Sequence, residues 1–306
     1  MWKGTGRNRM IIAVASGKGG TGKTTVSANL ARVRGDVTLL DCDVEEPNVH
    51  LFVSGEQQGE PEIVSLLVPE VDESRCDGCA ACSRFCAFKA LAVLDKRVLV
   101  FTELCHGCGG CARVCPQGAI REVPKRVGVV ETMRAAGVTV VQGRLDVGVA
   151  MAPPLIRAVK ARIPKTGDAI LDAPPGTSCP VVATLRETDF VVLVTEPTPF
   201  GLNDLKLAVA VVRELDLPFG VVVNRADSSD DRVAVYCREA GIPVLAEIPD
   251  DRRVAEAYSR GELMVDALPE YRPLFQRLYA DIARLAAGAR RAEPRPDGPS
   301  RKRSFL

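Results

Sequence analysis

Eight of the cysteines in this sequence fall into two runs with the same spacing. The chain has 11 cysteines in 306 residues, and eight of them lie between Cys76 and Cys115. Disulfide scaffolds are typical of short secreted chains, whereas this chain is long and its polar start, Met1–Met10, does not read as a secretion signal. Clustered thiols in such a chain indicate metal binding. Each run reads Cys-x2-Cys-x2-Cys-x3-Cys, and the runs are Cys76, Cys79, Cys82 and Cys86, then Cys105, Cys108, Cys111 and Cys115.

This spacing resembles that of bacterial ferredoxins, in which the fourth cysteine of each run ligates the other cluster. The resemblance implies two [4Fe–4S] clusters with crossed ligand sets. Ala87 follows Cys86 where ferredoxins usually have proline, but that position supplies no ligand. Structural zinc, which also accepts four cysteines, stays open as an alternative. The first set would be Cys76, Cys79, Cys82 and Cys115, and the second Cys105, Cys108, Cys111 and Cys86.

A second motif lies near the N-terminus and predicts nucleotide binding. The segment 17–24 fits the pattern G-x-x-x-x-G-K-[ST] between an apolar run and a helical pattern. Glycines let backbone N–H groups face phosphate oxygens, Lys23 would contact the β- and γ-phosphates, and Thr24 would ligate Mg²⁺. We therefore expect ATP and Mg²⁺ as ligands. The predicted nucleotide-binding residues of this loop are Gly17, Lys18, Gly19, Gly20, Thr21, Gly22, Lys23, Thr24 and Thr25.

The apolar pattern around these motifs predicts an α/β fold. Short continuous apolar runs, typical of strands buried on both faces, alternate with helical stretches such as 23–33, 204–215 and 231–240. This alternation indicates a doubly wound, mainly parallel sheet. The predicted strands are 10–15, 37–40, 138–141, 169–171, 190–194, 219–223 and 244–248.

A second lysine at the start of the loop, Lys18, makes the motif resemble the deviant Walker A loop of the MinD/ParA family, which includes the nitrogenase iron protein and Mrp-type cluster carriers. The resemblance covers residues 11–285 without the cysteine region. It implies that Lys18 reaches the partner subunit's nucleotide in an ATP-sandwiched homodimer. It also implies that Asp43 orients the attacking water and that Gly176 senses the γ-phosphate. Asp43 and Asp172 would join Thr24 in holding Mg²⁺, directly or through water. We assign catalytic roles to Lys18, Lys23, Asp43 and Asp172.

Two later strand ends are candidates for adenine recognition. Asn224 follows one predicted strand and could bond the base edge, and Pro249 follows the next, where its backbone could flank the ring. An ordinary loop turn explains both equally simply.

The cysteine region interrupts the α/β rhythm and divides the chain. About fifty residues bury little apolar surface, so this segment is expected to need a metal core to fold. We predict a discontinuous ATPase domain (1–71 and 124–289), an inserted α+β ferredoxin-like domain (72–123) and a disordered basic tail (290–306). Binding of the tail to an acidic membrane surface or partner stays an alternative to a solvated tail.

The composition excludes several function classes. Forty basic and 39 acidic residues give a formal charge of +1, which does not favour nucleic-acid binding. No apolar run is long enough for a membrane span, and we expect a cytoplasmic protein. Of the remaining cysteines, Cys42 and Cys237 read as core residues. Cys179 lies where the nitrogenase iron protein has a cluster ligand, but no second cysteine is near, so a structural or interface role is favoured.

Together these patterns predict an ATP-hydrolysing homodimer in which the nucleotide state gates electron transfer from two [4Fe–4S] clusters to an unidentified acceptor protein. The alternative is an assembly, iron–sulfur delivery or positioning factor whose clusters sense redox state or stabilise structure. The missing Cys-x-x-Cys near the C-terminus weakens the resemblance to the Mrp-type carriers.

Overall fold

The computed structural model describes residues 9–135, 137–227 and 230–292. Within them the main feature is a mixed sheet with strand order β12-β11-β10-β1-β9-β2-β8-β7-β3, and β4 pairs with β7 beside this path. The strands are β1 (Ile11–Ala15), β2 (Val37–Asp41), β3 (Glu56–Gln57), β4 (Glu62–Val71), β5 (Leu91–Leu94), β6 (Arg97–Val100), β7 (Ile120–Ala135), β8 (Val138–Leu145), β9 (Ala169–Asp172), β10 (Phe190–Thr195), β11 (Phe219–Ala226) and β12 (Val244–Pro249).

Helices cover both faces of the parallel part of the sheet. Each face has its own apolar core: one contains Leu155 of the fourth helix and Val209 of the sixth, and the other contains Leu30 of the first and Phe275 of the tenth. The helices are α1 (Lys23–Arg34), α2 (Ala81–Phe85), α3 (Gly110–Arg113), α4 (Ala152–Lys160), α5 (Cys179–Leu185), α6 (Pro199–Glu214), α7 (Arg232–Glu239), α8 (Arg252–Ser259), α9 (Met264–Ala267) and α10 (Arg272–Ala292).

The predicted doubly wound α/β class is confirmed. Every apolar run that was predicted to be a strand forms a strand. The strands from β12 to β8 pair in parallel and are buried between helix layers, which explains why their sequences are continuously apolar. Most of these strands extend one to four residues beyond the predicted C-terminal ends, into polar residues such as Asp41 and Asp172. Carboxyl ends of parallel strands are where an α/β sheet presents its ligand-binding residues.

The cysteine region lies at the end of a two-stranded ribbon. β4 and β7 pair antiparallel from Glu62↔Val130 to Val71↔Ile120, while the other end of β7 pairs with β8. We call residues 62–130 the arm. The part beyond the ribbon contains α2, α3 and the hairpin β5–β6, and its apolar cluster includes Cys82, Cys105 and Cys111. The arm therefore has a core of its own, built partly from cysteines.

The C-terminal helix passes the predicted start of the basic tail. Phe275, Leu278, Ile282 and Ala286 follow helical spacing and are buried against the sheet. The helix ends at Ala292 rather than before Arg290, and residues 293–306 of the predicted tail lie outside the described residues. Within the described ranges, no helix combines the length and apolar character needed to cross a membrane.

Candidate functional site

The predicted phosphate-binding loop connects the end of β1 to the start of α1. Gly20 and Gly22 have φ values of 77° and 93°, a region that side chains other than glycine rarely adopt. A Cβ atom on Gly17 would lie 2.0 Å from the carbonyl oxygen of Asp204 in α6. Lys23 is buried at the first residue of α1. Backbone conformation thus requires glycine at positions 20 and 22, and the close contact with Asp204 requires it at position 17. The N-terminus of α1 points into the loop.

Asn224 at the end of β11 holds this loop in place. Its side-chain Nδ2 donates to the backbone oxygen of Thr21 at 2.8 Å. A Cβ on Gly22 would lie 2.2 Å from the same nitrogen. The predicted contact of Asn224 with an adenine edge stays a prediction, and the observed contact is a loop-positioning one. Pro249 lines a shallow cavity next to β11 with Ala226 and Asp227, and Thr25 lines a small cavity on the other side of α1.

Thr24 and Asp172 are brought together as the motif predicts. The Thr24 hydroxyl donates to Asp172 Oδ2 at 2.6 Å. Asp172 is buried, and its other oxygen, Oδ1, has no hydrogen-bond partner among the described residues. A buried carboxylate oxygen without a partner is costly unless an ion or water satisfies it. Oxygen donors of this kind suit Mg²⁺, so these residues fit the predicted ion.

Asp41 is a functional candidate that the sequence analysis did not select. It pairs in register with Asp172 across β2 and β9, and it is fully buried. Burial, together with the nearby charge of Asp172, raises its pKa well above the usual range. Its carboxylate accepts N–H bonds from Asp43, Asn48 and Val49 at 2.9 to 3.1 Å. Asp41 therefore anchors the segment 43–51, which we call switch I.

Asp43 and Asp172 have unusual protonation equilibria. Burial raises the pKa of Asp43 to about 6, although Lys23 opposes this shift. Burial likewise raises the pKa of Asp172 to about 6, against the hydrogen bond from Thr24. Carboxyl groups with raised pKa values in a polar cleft are typical of functional sites.

Lys18 is held by a buried acid that the sequence did not suggest. Its Nζ lies 3.3 Å from Glu196 Oε2, and Arg225 Nη1 lies 2.7 Å from Glu196 Oε1. Gly176, with φ of 93°, donates its N–H to the backbone oxygen of Ser16 at 3.0 Å. The segment after β9 thus touches the base of the loop.

The eight cysteines surround two separate cavities in the arm. Among the described residues, no three His, Cys, Asp or Glu side chains converge closely enough to bind a single metal ion. Each set of four thiols instead surrounds a cavity. This is the arrangement that a four-iron cluster needs, because each of its four thiolates binds a different iron. The donor set therefore fits the predicted clusters. One cavity is lined by Cys76, Cys79, Cys82 and Cys115, and the other by Cys86, Cys105, Cys108 and Cys111.

Backbone N–H groups point at several of these sulfurs. Ala90 N–H donates to Cys86 Sγ at 3.3 Å, Gly107 N–H to Cys105 Sγ at 3.4 Å, and Ala119 N–H to Cys115 Sγ at 3.3 Å. Such bonds favour the thiolate and raise the reduction potential of a cluster bound to it. Cys79 and Cys108, one from each run, are exposed.

Strand β7 links the switch I side of the sheet to both cavities. Leu145 N–H donates to the Val44 oxygen of switch I at 2.9 Å, and Asp146 N–H donates to the Val127 oxygen of β7 at 3.0 Å. Arg126 binds Asp146 through two nitrogens, at 2.8 and 3.3 Å. Further along β7, Ile120 lines the first cavity and Glu122 lines the second. A short chain of contacts therefore connects switch I to the ribbon.

The remaining cysteines differ in environment. Cys42 and Cys237 are completely buried, as predicted for core residues, and burial raises the pKa of Cys237 to about 11. Cys179 is exposed at the first residue of α5. His106 stacks on Phe88 with ring centroids 3.4 Å apart beside the second cavity.

Comparisons with known proteins agree with this geometry. Residues 12–264 match the model of the CobQ/CobB/MinD/ParA nucleotide-binding domain family. An uncharacterized protein of Methanocaldococcus jannaschii is 31% identical over 258 residues, which cover 83% of this chain and 90% of that protein. A protein of Aquifex aeolicus named iron-sulfur cluster carrier protein is 26% identical over 85% of this chain and 63% of its own length.

Solved structures extend the likeness to the fold. The septum site-determining protein MinD of Pyrococcus horikoshii, in complex with Mg-ADP, is 19% identical, with a TM-score of 0.57 over 92% of this chain and 98% of that one. MinD of Pyrococcus furiosus gives a TM-score of 0.56 at 21% identity over 90% and 99% of the two chains. The loop, the Thr24–Asp172 pair and the family match agree, and the chain belongs to the CobQ/CobB/MinD/ParA family of P-loop nucleotide-binding ATPases.

Proposed function

We propose that this protein is an ATP-hydrolysing homodimer whose nucleotide state gates electron transfer from a two-cluster arm to a partner protein. The observation that carries the proposal is the pair of cavities, each lined by four thiols contributed by both cysteine runs, at the end of a ribbon continuous with the nucleotide-binding sheet. The proposed domains are the ATPase body (1–71 and 124–289), to which the ribbon part of the arm belongs, and the inserted domain (72–123), which is the remainder of the arm.

The body's residues have separable roles in ATP hydrolysis. The loop glycines and the start of α1 bind phosphate oxygens, and Lys23 neutralises the β- and γ-phosphates. Thr24 and Asp172 hold Mg²⁺, the latter through water, using the oxygen that has no partner among the described residues. Asp43 orients the attacking water. Catalysis consists of positioning and charge stabilisation.

Lys18 acts between subunits in this proposal. In the single chain it is paired with Glu196. The buried carboxylate of Glu196 keeps Arg225 as a second partner, so Lys18 can leave it without stranding an unpaired charge when a second nucleotide-bound subunit approaches. Its ammonium group then stabilises the charge that develops on the partner's γ-phosphate.

The arm supplies the redox function. When bound, each [4Fe–4S] cluster accepts or releases one electron. The chain's own part is to hold the thiolates and to direct N–H groups at Cys86, Cys105 and Cys115, which stabilises the added negative charge of the reduced state. The small apolar cluster of the arm excludes water from the more buried sulfurs.

The route of coupling is the contact chain through β8 and β7. A movement of switch I that follows the γ-phosphate changes the position of Val44, which is bonded to Leu145. Asp146 and Arg126 then connect β8 to the base of the ribbon. The arm therefore moves, or changes its exposure to a partner, with the state of the nucleotide.

The test compares electron release with and without ATP. The protein is purified anaerobically, reduced, and mixed with its candidate acceptor in the presence of ATP, ADP or no nucleotide. ATP-dependent reoxidation is the expected result. Equal reoxidation rates under all three conditions would rule out gating.

A second candidate function is iron–sulfur cluster delivery. It is favoured by relatives named iron-sulfur cluster carrier protein, one of which is the Aquifex aeolicus protein, and by the exposure of Cys79 and Cys108. Delivery predicts that an apo-acceptor gains iron while this protein loses it. Electron transfer predicts that its iron content stays constant through many turnovers.

A further inference from the structure

The two cysteine cavities differ in the surface around their openings. Three large apolar side chains that line the second cavity are exposed: Leu67 by 49%, Phe85 by 53% and Phe88 by 41%. None of the residues lining the first cavity is a large exposed apolar one. We call Leu67, Phe85 and Phe88 the apolar collar. Grouped exposed apolar side chains of this kind mark interaction surfaces.

The collar surrounds an accessible thiol on a rigid base. Cys108, which lines the same cavity, is exposed. Phe88 is stacked on His106, and a Cβ on Gly110 would lie 2.1 Å from the Phe85 ring. The aromatic rings are therefore fixed by close packing although their outer faces meet solvent, so a partner docking there would lose little side-chain entropy.

A basic groove on the ATPase body lies beside the base of the arm, where Arg162 pairs with Glu62. The groove has a volume of about 740 Å³ and lies between the ends of α4 and α5. Four cations line it, Arg9, Arg157, Lys160 and Arg186, against two acids, Glu187 and Asp189. The guanidinium groups of Arg157 and Arg186 have no hydrogen bond or ion pair among the described residues.

Helix α4 links the groove to the ribbon. Arg157 lines the groove from α4, and Leu67 of the collar lies on β4 of the ribbon. Helix α4, which carries Arg157, contacts both strands of the ribbon, and Arg162 after α4 forms an ion pair with Glu62 at the base of β4. The groove therefore lies next to the ribbon, one strand of which carries Leu67 of the collar, and a single protein partner can span both.

Charge complementarity identifies the occupant of this surface. Lys89 and Arg84, which flank the collar in sequence, have no ion-pair partner among the described residues, and Glu122 is the acid of the second cavity. With the groove, the surface keeps a small excess of positive charge even when the charge of about −2 of a cluster bound at the second cavity is included. Interfaces place opposite potentials against each other, which steers association and fixes orientation.

We propose that the apolar collar and the basic groove together bind a small acidic electron-carrier protein, placing it over Cys108 at the second cysteine cavity. This inference rests on the proposed function, and it assigns the second cavity rather than the first as the one that faces the partner.

The test measures affinity rather than turnover. A purified acidic ferredoxin with two [4Fe–4S] clusters is titrated by anaerobic calorimetry into the cluster-loaded full-length protein at low ionic strength. Binding that weakens as salt is added is expected. The double variant Arg157→Glu/Arg186→Glu, which leaves the arm unchanged, should weaken binding by about tenfold or more, and Phe88→Asp should do the same.

Two control variants remove equivalent groups elsewhere on the body. Arg277→Glu reverses an exposed charge on α10, on the opposite face of the sheet, and Leu207→Asp replaces an exposed apolar residue on α6. Both should bind like the unaltered protein. The iron content of every variant is measured in parallel, so that an arm that fails to assemble is recognised.

The outcomes separate this proposal from the proposed function. If the protein holds its iron but does not bind the acidic ferredoxin, or if all four variants bind it equally, the docking surface is refuted and the electron-transfer function stands. Tighter binding of a basic cytochrome c than of the ferredoxin would also refute it. A protein that contains no clusters would refute the proposed function itself.

Discussion

Lys18 and Lys23, the two lysines of the phosphate-binding loop, occupy different environments. Lys23 is buried at the start of α1, and its positive charge opposes the rise in the pKa values of Asp43 and Asp172. Lys18 is one-third exposed and paired with Glu196. The first position suits a phosphate ligand in the same subunit, and the second suits a group that changes partners.

We therefore predict that Lys23→Ala abolishes nucleotide binding, whereas Lys18→Ala binds ATP but neither dimerises nor hydrolyses it. Equilibrium binding of a fluorescent ATP analogue, light scattering and phosphate release measure the three properties. Unchanged turnover in either variant would contradict the sandwich arrangement.

Asp168, outside the nucleotide site, ties three elements together. It accepts hydrogen bonds from the Met10 N–H at 2.8 Å, from Arg34 Nε at 2.9 Å and from the Tyr279 hydroxyl. Burial alone would raise the pKa of Asp168, but the hydrogen bonds from Tyr279, Met10 and Arg34 together hold it below its usual value. The ionised carboxylate therefore stabilises the folded state.

Asp168→Asn should lower the free energy of unfolding at pH 7 by about 2 kcal/mol, the usual worth of charged hydrogen bonds. Because the folded-state pKa is lowered, this stability is present above the unfolded pKa of about 3.9 and is lost as the pH falls through the folded value. Urea unfolding from pH 7 to pH 3 measures the effect. The difference between the two proteins should shrink at the acid end. The control Asp281→Asn removes only a surface ion pair with Arg284 and should change stability little.

Sequence patterns identified residues whose roles depend on local spacing and missed those that depend on tertiary neighbours. The loop, the Thr24–Asp172 pair and the two cysteine sets were all predictable, because each rests on a fixed spacing or a strand end. Asp41 and Glu196 were not, because only the pairing of β2 with β9 and the approach of Lys18 give them a role. Position in sequence alone does not show either contact.

At the scale of elements, β8 is packed tightly between switch I and α4. A Cβ atom on Gly143 would lie 2.6 Å from a methyl group of Val44 and 2.8 Å from one of Val159. An added methyl group there must displace one of these neighbours.

Gly143→Ala should therefore destabilise the protein by about 1 to 3 kcal/mol, as overpacking does, and should alter the ATP dependence of electron release by shifting switch I. Gly288→Ala is the matched control, because a methyl group added to Gly288 on α10 would have no other heavy atom of the described residues within 4 Å beyond its own helix backbone and chain neighbours. It should be neutral or stabilise by up to about 1 kcal/mol. Thermal unfolding of both variants distinguishes the two effects.

The ribbon was the part of the fold that the sequence did not reveal. β7 reads Ile-Arg-Glu-Val-Pro-Lys-Arg-Val at its start, and its exposed residues there alternate with partly buried ones. A ribbon with both faces near solvent lacks the continuous apolar run that identified the strands of the parallel sheet. Its existence depends on pairing with β4, which is distant in sequence.

The crossed cysteine sets can be tested with double variants. Under the observed arrangement Cys79→Ser/Cys115→Ser affects a single cavity and should cost about four irons per chain, as each single variant does. Cys108→Ser/Cys115→Ser affects both cavities and should cost about eight. Iron analysis of the anaerobically purified proteins decides this, and the reverse order would show that each run serves its own cluster.

At the scale of the whole molecule, the body and the arm differ in how they are stabilised. The body has large apolar cores on both faces of the sheet, whereas the arm has one small cluster that includes Cys82, Cys105 and Cys111. With so little apolar surface, the arm is expected to need bound metal in order to fold.

Removal of iron by oxidation and chelation should therefore open the arm and leave the body folded. Limited proteolysis should cut the apo-protein between residues 72 and 119, while ATP binding persists. Resistance of the arm to protease after complete loss of iron would show that it folds without clusters.

Net charge is divided between the C-terminal segment and the rest of the chain. The segment 290–306 carries a net +4, which leaves −3 on the remainder of a chain whose total is +1. Each oxidised cluster with four thiolates adds about −2. Arg157 and Arg186 of the basic groove therefore stand out against a body that is acidic overall, which strengthens the case for a specific surface there.

The central claim is that the arm holds two four-iron clusters, and one analysis tests it most directly. Iron, zinc and acid-labile sulfide are quantified per chain in the anaerobically purified full-length protein. The account predicts about eight irons and eight sulfides per chain and no stoichiometric zinc. A protein that contains zinc in place of iron, with no labile sulfide, would contradict it.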